Sequence, residues 1–336
     1  MKKTLIIAEA GVNHNGSVDT ALEMIRAAAR AGVDYVKFQT FRAEDLVAAS
    51  APMAEYQKAN TGRDESQLAM LRSLELTPEA FALLAGECLR CGVGFMSSPF
   101  DLESIRLLAA IGQDYWKIPS GEITNLPYLR EIGRQKGRVI MSTGMSTLEE
   151  VDEAVGILVG AGTPKSDIAL LHCNTQYPTP FADVNLRAME ALRRLGCAAV
   201  GFSDHTQGVE VPIAAVAMGA EVIEKHFTLD KSMEGPDHKA SLDTAELTAM
   251  VSAIRNVELA IGQPEKRRSP SETPNVAVAR KSIVAARPIR AGEILGADNL
   301  AVKRPGTGLS PMFWDKTVGT AAIRDFGKDE MIEILL

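Results

Sequence analysis

The chain has 336 residues, 46% of them apolar, with a formal net charge of −7 at pH 7. That length suits one large core with a small appended domain. The acidic balance argues against nucleic acid or an anionic membrane surface as the main partner, but a local group of lysines and serines can still hold an anionic small molecule.

No apolar run approaches the ~20 residues that cross a bilayer. The opening MKKTLIIAEAGVNHNG is interrupted by Glu9 and is too short in apolar residues for a signal peptide, so a cytoplasmic protein is expected. The four cysteines (Cys88, Cys91, Cys173, Cys197) offer no disulfide framework, and the C-x-x-C at Cys88 and Cys91 has no second copy to complete a zinc site.

Taken in order, short β-branched runs alternate with Ala/Leu-rich amphipathic segments. Strands are predicted at 5–8, 35–38, 93–96, 115–118, 139–142, 169–172, 199–202 and 221–224. Helices are predicted at about 18–31, 79–91, 101–111, 126–136, 147–161, 185–195, 208–218 and 243–261. Thr77-Pro78, Ser146-Thr147-Leu148-Glu149 and Asp243-Thr244 supply start signals for three of them. Eight strand–helix units in about 260 residues is the length of a (β/α)8 TIM barrel, an α/β fold. A doubly wound open sheet is the alternative, but no G-x-G-x-x-G follows the first strand. The connection over 41–76, with AEYQKANTG and ESQ, is about twice the usual length and is expected to be functional or contact-forming.

In such a barrel the residues at the carboxyl ends of the strands share one face. Here they are Glu9 with Asn13-His14-Asn15-Gly16; Lys37 and Gln39; Ser97, Ser98 and Pro99; Lys117, Ser120 and Glu122; Ser142, Thr143 and Gly144. The rim continues with His172, Asn174, Thr175 and Tyr177; Ser203, Asp204 and His205; and Glu224, Lys225 and His226. Polar residues at all eight strand ends exceed what solvent exposure requires, and they point to an enzyme. Lys37 and Lys117 can neutralise an anion, and Ser98, Ser120, Ser142 and Ser203 can donate hydrogen bonds to its oxygens. Glu9 and Glu122 can position a hydroxylated ligand or move a proton, or simply be locked to a lysine. His205 and His226, 21 residues apart, end neighbouring predicted strands, which is a metal-site geometry; both can equally be ordinary polar strand ends.

Residues 263–282, with Pro264, Pro270 and Pro274 and mixed charge, are expected to be a linker between a catalytic domain at 1–262 and a small domain at 283–336. That small domain alternates short strand-like runs with turns. Its loop Lys303-Arg304-Pro305-Gly306-Thr307-Gly308 presents an Arg suited to a carbonyl or carboxylate oxygen.

The motifs AEAGVNHNG, VKFQTF, SSPFD, WKIPSGE, STGM, HCNTQYPTP, GFSDHT, EKHFTLD with GPDH, and KRPGTG occur in this order along nearly the whole chain. In this the chain resembles the sialic acid synthases. The resemblance implies a TIM barrel followed by an antifreeze-like (SAF) domain, in domain-swapped homodimers where the small domain caps the partner's barrel. It implies condensation of phosphoenolpyruvate with an N-acylhexosamine to a nine-carbon 2-keto sugar acid. It implies a divalent metal on His205 and His226, Mn²⁺ first, with Mg²⁺ or Co²⁺ as alternatives. Phosphoenolpyruvate would be held by Lys37, Ser98, Lys117, Ser120 and Ser203 with Asn174 or Thr175, since some members carry Thr-Asn where this chain has Asn-Thr. The acceptor would meet Glu9, Gln39, Tyr177, Asp237 and, from the other subunit, Arg304. Glu122 is the first candidate to handle protons or stabilise a cation, with Glu9 sharing that role. His238, in a loop beyond the last strand, is not expected to bind metal. N-acetylmannosamine is the first expectation for the acceptor; legionaminic or pseudaminic acid synthesis from another hexose is the alternative, and a non-catalytic carbohydrate- or ice-binding protein is the alternative from a different class.

Overall fold

Alternation of inward and outward side chains along each strand organises this chain. In the computed structural model, which describes residues 3–48, 51–53 and 66–335, eight parallel strands follow in turn. They are β1 (Leu5–Gly11), β2 (Tyr35–Thr40), β3 (Gly94–Pro99), β4 (Tyr115–Ile118), β5 (Arg138–Ser142), β6 (Ile168–Cys173), β7 (Ala199–Asp204) and β8 (Val222–His226). The ladders run in the order β3-β2-β1-β8-β7-β6-β5-β4. β1 and β8 therefore pair, and the sheet curls until β3 and β4 lie side by side. At that flank a side chain helps to close the ring: Gln113 Oε1 accepts from the Ser97 amide at 2.9 Å.

Helices α1 (Val18–Ala31), α2 (Ala43–Leu46), α3 (Gln67–Leu74), α4 (Pro78–Cys91), α5 (Leu102–Ile111), α6 (Leu126–Arg134), α7 (Leu148–Ala161), α8 (Ala188–Arg193), α9 (Glu210–Ala217) and α10 (Thr244–Ile261) fill the connections. Their starts are chemically specified. Ser17, Thr77 and Asp101 each accept a backbone N–H of the first turn. Thr147 with Glu150, one residue later than the predicted Ser146–Glu149 pairing, and Asp243 with Glu246 form reciprocal capping boxes. All eight predicted strands are present, with ends moved by up to three residues. The long connection after β2 is less irregular than expected, since it carries α2 and α3; its AEYQKANTG stretch (54–62) lies outside the described residues.

Outward-facing strand residues such as Ile6, Ala8, Val36 and Phe38 pack with helix residues such as Met24, Ile25 and Leu84 in the main core, all fully buried. The inward-facing set at the amino ends is apolar too: Ile7, Met96, Ile140, Ala169, Leu171 and Val222, with Leu5, Tyr35, Tyr115 and Ala199 against them. Two residues further along each strand, or four on β7, the same inward parity becomes Glu9, Lys37, Ser98, Lys117, Ser142, Cys173, Ser203 and Glu224. The barrel is thus plugged by hydrocarbon at one end and lined by ionisable groups at the other.

Residues 263–336 form a second compact unit. In it β9 (Ser282–Ala285) pairs antiparallel with β10 (Leu300–Lys303). A small core of Ile283, Ile289, Leu295, Leu300, Phe326 and Ile332 is almost fully buried. The stretch expected as a linker contains a helix, α11 (Thr273–Ala279). This helix supports the Lys303–Gly308 loop: Gly306 N donates to Ala277 O at 2.7 Å, and Arg304 Nε donates to Ala279 O at 3.0 Å. Gly306 is required by that approach, because a Cβ there would lie 2.5 Å from Arg280 Cβ.

Candidate active site

Strand register assembles the charged end of the barrel. Glu9 on β1 stands beside Lys37 on β2 and beside His226 on β8; Ser203 on β7 stands beside Glu224 on β8. Lys37 Nζ donates to Ser98 Oγ at 3.1 Å and lies 2.9 Å from Glu9 Oε2. That contact is off the hydrogen-bonding direction, so Glu9 Oε2 is ion-paired while lacking a hydrogen-bond donor. Gln39 Nε2 donates to the other oxygen, Oε1, at 3.1 Å. Lys117 Nζ donates to Ser142 Oγ at 2.8 Å. Between the two lysines sits Glu224: its Oε1 is 3.6 Å from each ammonium and accepts from Ser203 Oγ at 3.2 Å, while its Oε2 is buried without a partner.

Glu9, Lys37, Lys117, Glu224 and the two histidines are only 1–6% exposed, so their ionisation is set by burial against each other. Burial pushes the Glu9 carboxyl up to about 7; Lys37 opposes the shift and Glu224 adds to it. Burial works against the Glu224 charge as well, but Lys117 and Lys37 outweigh it and hold that carboxyl below its ordinary range. Lys117 is pulled down by burial, with Glu224 opposing. When Glu9 is protonated, two ammonium groups face one carboxylate, and the cleft floor favours an anion.

The imidazoles stand at the β7–β8 side. Burial lowers His205 to about 4 and holds His226 well below the usual imidazole range, so both are neutral at pH 7. His205 Nδ1 donates to the Asn174 carbonyl, which fixes the tautomer and leaves the Nε2 lone pair available. Tyr177 stacks on His205 with ring centroids 4.0 Å apart, and the two imidazole centroids are 5.3 Å apart. His226 Nδ1 is buried with no hydrogen-bond partner, 3.8 Å from Asp237 Oδ2; burial raises that aspartate to about 6. Neutral adjacent imidazoles, one with an orphaned nitrogen, fit a divalent cation. Among the described residues no group of three or more His, Cys, Asp or Glu side chains gathers as a ligand set. Such an ion would therefore keep its remaining positions for water or substrate oxygen.

These side chains open into one cleft of about 300 Å³, lined by Glu9, Lys37, Gln39, Ser98, Lys117, Ser120, Thr175, Tyr177, Ser203, His205, His226 and Asp237 among the residues expected from the sequence. Ser120 Oγ accepts from the Gly144 amide at 3.0 Å and shares a hydrogen bond with Cys173 Sγ at 3.2 Å. Glu122 and the Asn174 side chain are placed otherwise than expected. Glu122 lies outside the cleft lining, where its carboxylate accepts from Asn125 Nδ2 at 2.6 Å. The Asn174 side chain accepts from the Gln176 amide at 2.8 Å, and it is Thr175 that faces the cleft. Arg304 belongs to the second unit. His238 is engaged at both ring nitrogens, by Thr228 Oγ1 at 2.7 Å and Asn15 Oδ1 at 3.2 Å.

Glu224 is the central residue that the expected site omitted, although it stood on the predicted rim. The signal was its spacing: two residues before His226, it shares the inward face of β8. Its neighbours on the rim, Asp204 and Lys225, have the opposite parity. They pair outside the lumen at 2.6 Å, where Asp204 also accepts from the Thr206 amide.

Residues 24–266 match the NeuB family and residues 280–333 the SAF domain. The chain is similar to the N,N'-diacetyllegionaminic acid synthase of Campylobacter jejuni, with 49% identity covering 99% of both chains. It is similar to that of Legionella pneumophila at 46% identity, covering 94% of this chain and 89% of that one. Among solved structures it resembles the N-acetylneuraminic acid (sialic acid) synthetase of Leptospira borgpetersenii, in complex with citrate, with a TM-score of 0.71 and 31% identity over 82% of this chain and 90% of that one.

Proposed function

This chain belongs to the NeuB, or sialic acid synthase, family, and from that premise we propose that it condenses phosphoenolpyruvate with the open-chain form of an N-acylated hexosamine. The product is a nine-carbon 2-keto sugar acid and inorganic phosphate. A diacetamido-trideoxyhexose, leading to a legionaminic-type acid, replaces N-acetylmannosamine as the preferred acceptor. The similarity to two legionaminic acid synthases over almost the entire chain supports that change.

The observation that carries the reading is the convergence of Lys37, Lys117, Ser98, Ser203, His205 and His226 in one cleft. Lys37 and Lys117 would bind the carboxylate and phosphate of phosphoenolpyruvate, with the hydroxyls of Ser98 and Ser120, and that of Ser203 once it turns from Glu224, donating to their oxygens. In the overall change, C3 of phosphoenolpyruvate bonds to the aldehyde carbon, water adds at C2, and phosphate departs with its bridging oxygen. Glu224 and Glu9 lie where positive charge develops at C2, and one of them must take the proton that water loses. Gln39, Tyr177 and Asp237 line the part of the cleft left for the sugar. His205 and His226 would hold a divalent cation, Mn²⁺ in the first instance. Bound there, it would supply Lewis-acid polarisation of the aldehyde oxygen.

The homodimer, with Arg304 of a second copy meeting the acceptor's acyl carbonyl, belongs to the same proposal. Arg304→Ala should raise the acceptor KM and leave that for phosphoenolpyruvate alone; an unchanged acceptor KM counts against it. The reading as a whole is tested by phosphate release from phosphoenolpyruvate with a panel of N-acylhexosamines, with and without Mn²⁺. No release with any sugar would return the chain to a carbohydrate-binding role.

A further inference from the structure

The cleft is divided by chemistry. Its floor is charged, whereas the wall above β1, β2 and β3 is mostly apolar: beside Leu46, Val47 and the polar Gln67 it presents six side chains, Val12, Phe41, Met70, Leu71, Leu74 and Phe100. These six side chains belong to one hydrophobic cluster, distinct from the main barrel core. Its source is the long excursion after β2. There α3 presents Met70, Leu71 and Leu74 from one face, all buried, and Phe41 meets Phe100 edge to face with centroids 6.4 Å apart. In ladder order β3 stands four places from β7, which is the far side of an eight-membered ring. The wall at Phe100, just after β3, therefore lies across the barrel mouth from His205, just after β7.

A sugar whose aldehyde end meets the two imidazoles must lay its far end, C4 to C6, against this wall. A hydroxyl pressed there gives up water and finds no hydrogen-bonding group on any of the six side chains. A 6-deoxy methyl, or the methyl of an acetamido group at C4, gains apolar burial and close contacts instead.

We propose that this wall selects the acceptor. It takes the methyl-bearing end of a diacetamido-trideoxyhexose and disfavours N-acetylmannosamine, with Met70 and Leu74 as specificity-determining residues. The inference rests on the synthase reading above and adds a physical cause for acceptor choice within it.

The test is kcat/KM for the two sugars, read as phosphate release at saturating phosphoenolpyruvate and Mn²⁺. The unaltered enzyme is expected to favour the diacetamido sugar. Met70→Gln, which keeps side-chain length but places an amide in the wall, should lower that preference by about tenfold, while Met70→Leu preserves it. Leu74→Asn provides a second variant, and the melting temperature of each confirms that it is folded. A native preference for N-acetylmannosamine overturns the inference and leaves the synthase reading standing. So does an unchanged ratio in both folded polar variants. Absence of release with either sugar sinks the synthase reading, and this inference falls with it.

Discussion

Glu224 Oε1 lies 3.6 Å from Lys37 Nζ and the same distance from Lys117 Nζ. A single buried carboxylate therefore holds two ammonium groups that would otherwise repel each other in a medium of low polarisability. That relationship makes Glu224 both a structural keystone of the charged floor and a group beside the reacting atoms.

Glu224→Gln removes the negative charge shared by the two lysines, which takes from Lys117 its ion pair and leaves Lys37 with Glu9. The expected cost is about 3 kcal/mol of unfolding free energy, together with a fall in kcat of at least about a hundredfold. Urea denaturation and steady-state phosphate release measure the two effects. An unaltered midpoint with unaltered kcat would show that the charge is dispensable.

Glu9 gives a pH signature. Its folded pKa of about 7 stands above the ordinary 4.5. The stabilisation tied to its proton is thus fully present below pH 4.5 and disappears as pH rises towards 7. Thermal melts of Glu9→Gln, compared with the native protein from pH 4.5 to 8, should lack this decline. The kcat/KM profile should likewise lose an inflection near neutrality. Identical pH profiles for the two proteins would refute the shift.

His205→Ala and His226→Ala should each weaken Mn²⁺ binding by at least about a hundredfold and abolish metal-dependent turnover. Equilibrium binding of Mn²⁺ to the purified variants checks the first effect independently of catalysis. Near-native affinity in either variant removes that histidine from the site.

Gly201 has a purely steric role. A Cβ there would lie 2.2 Å from the Val222 carbonyl oxygen and 2.8 Å from Leu171 Cδ2, so β7 and β8 would have to separate. Gly201→Ala should cost about 2 kcal/mol or more, read as a lower melting temperature. A melting temperature equal to the native one would mean that the strands yield without penalty.

Much of this protein is written locally. The eight β/α units, the capping side chains Thr77 and Asp243, and the polar carboxyl ends of the strands all depend on residues within a few positions of each other. The sequence alone therefore determined the barrel, and it nominated Lys37, Lys117, His205 and His226. Tertiary structure decided the rest, because through-space distance depends on register and closure. Register set Glu9 against Lys37 and His226, and made Glu224, rather than Glu122, the second carboxylate of the cleft. It turned Asp204 and Lys225 outward into a pair of their own, although each adjoins an inward residue, Ser203 or His226, in the chain. Folding of the excursion after β2 brought Met70 and Leu74 to Val12 and Phe100, residues far apart in the chain. Nothing local in the sequence marks that apolar wall, since its members become one surface only once strands β1 to β3 stand side by side.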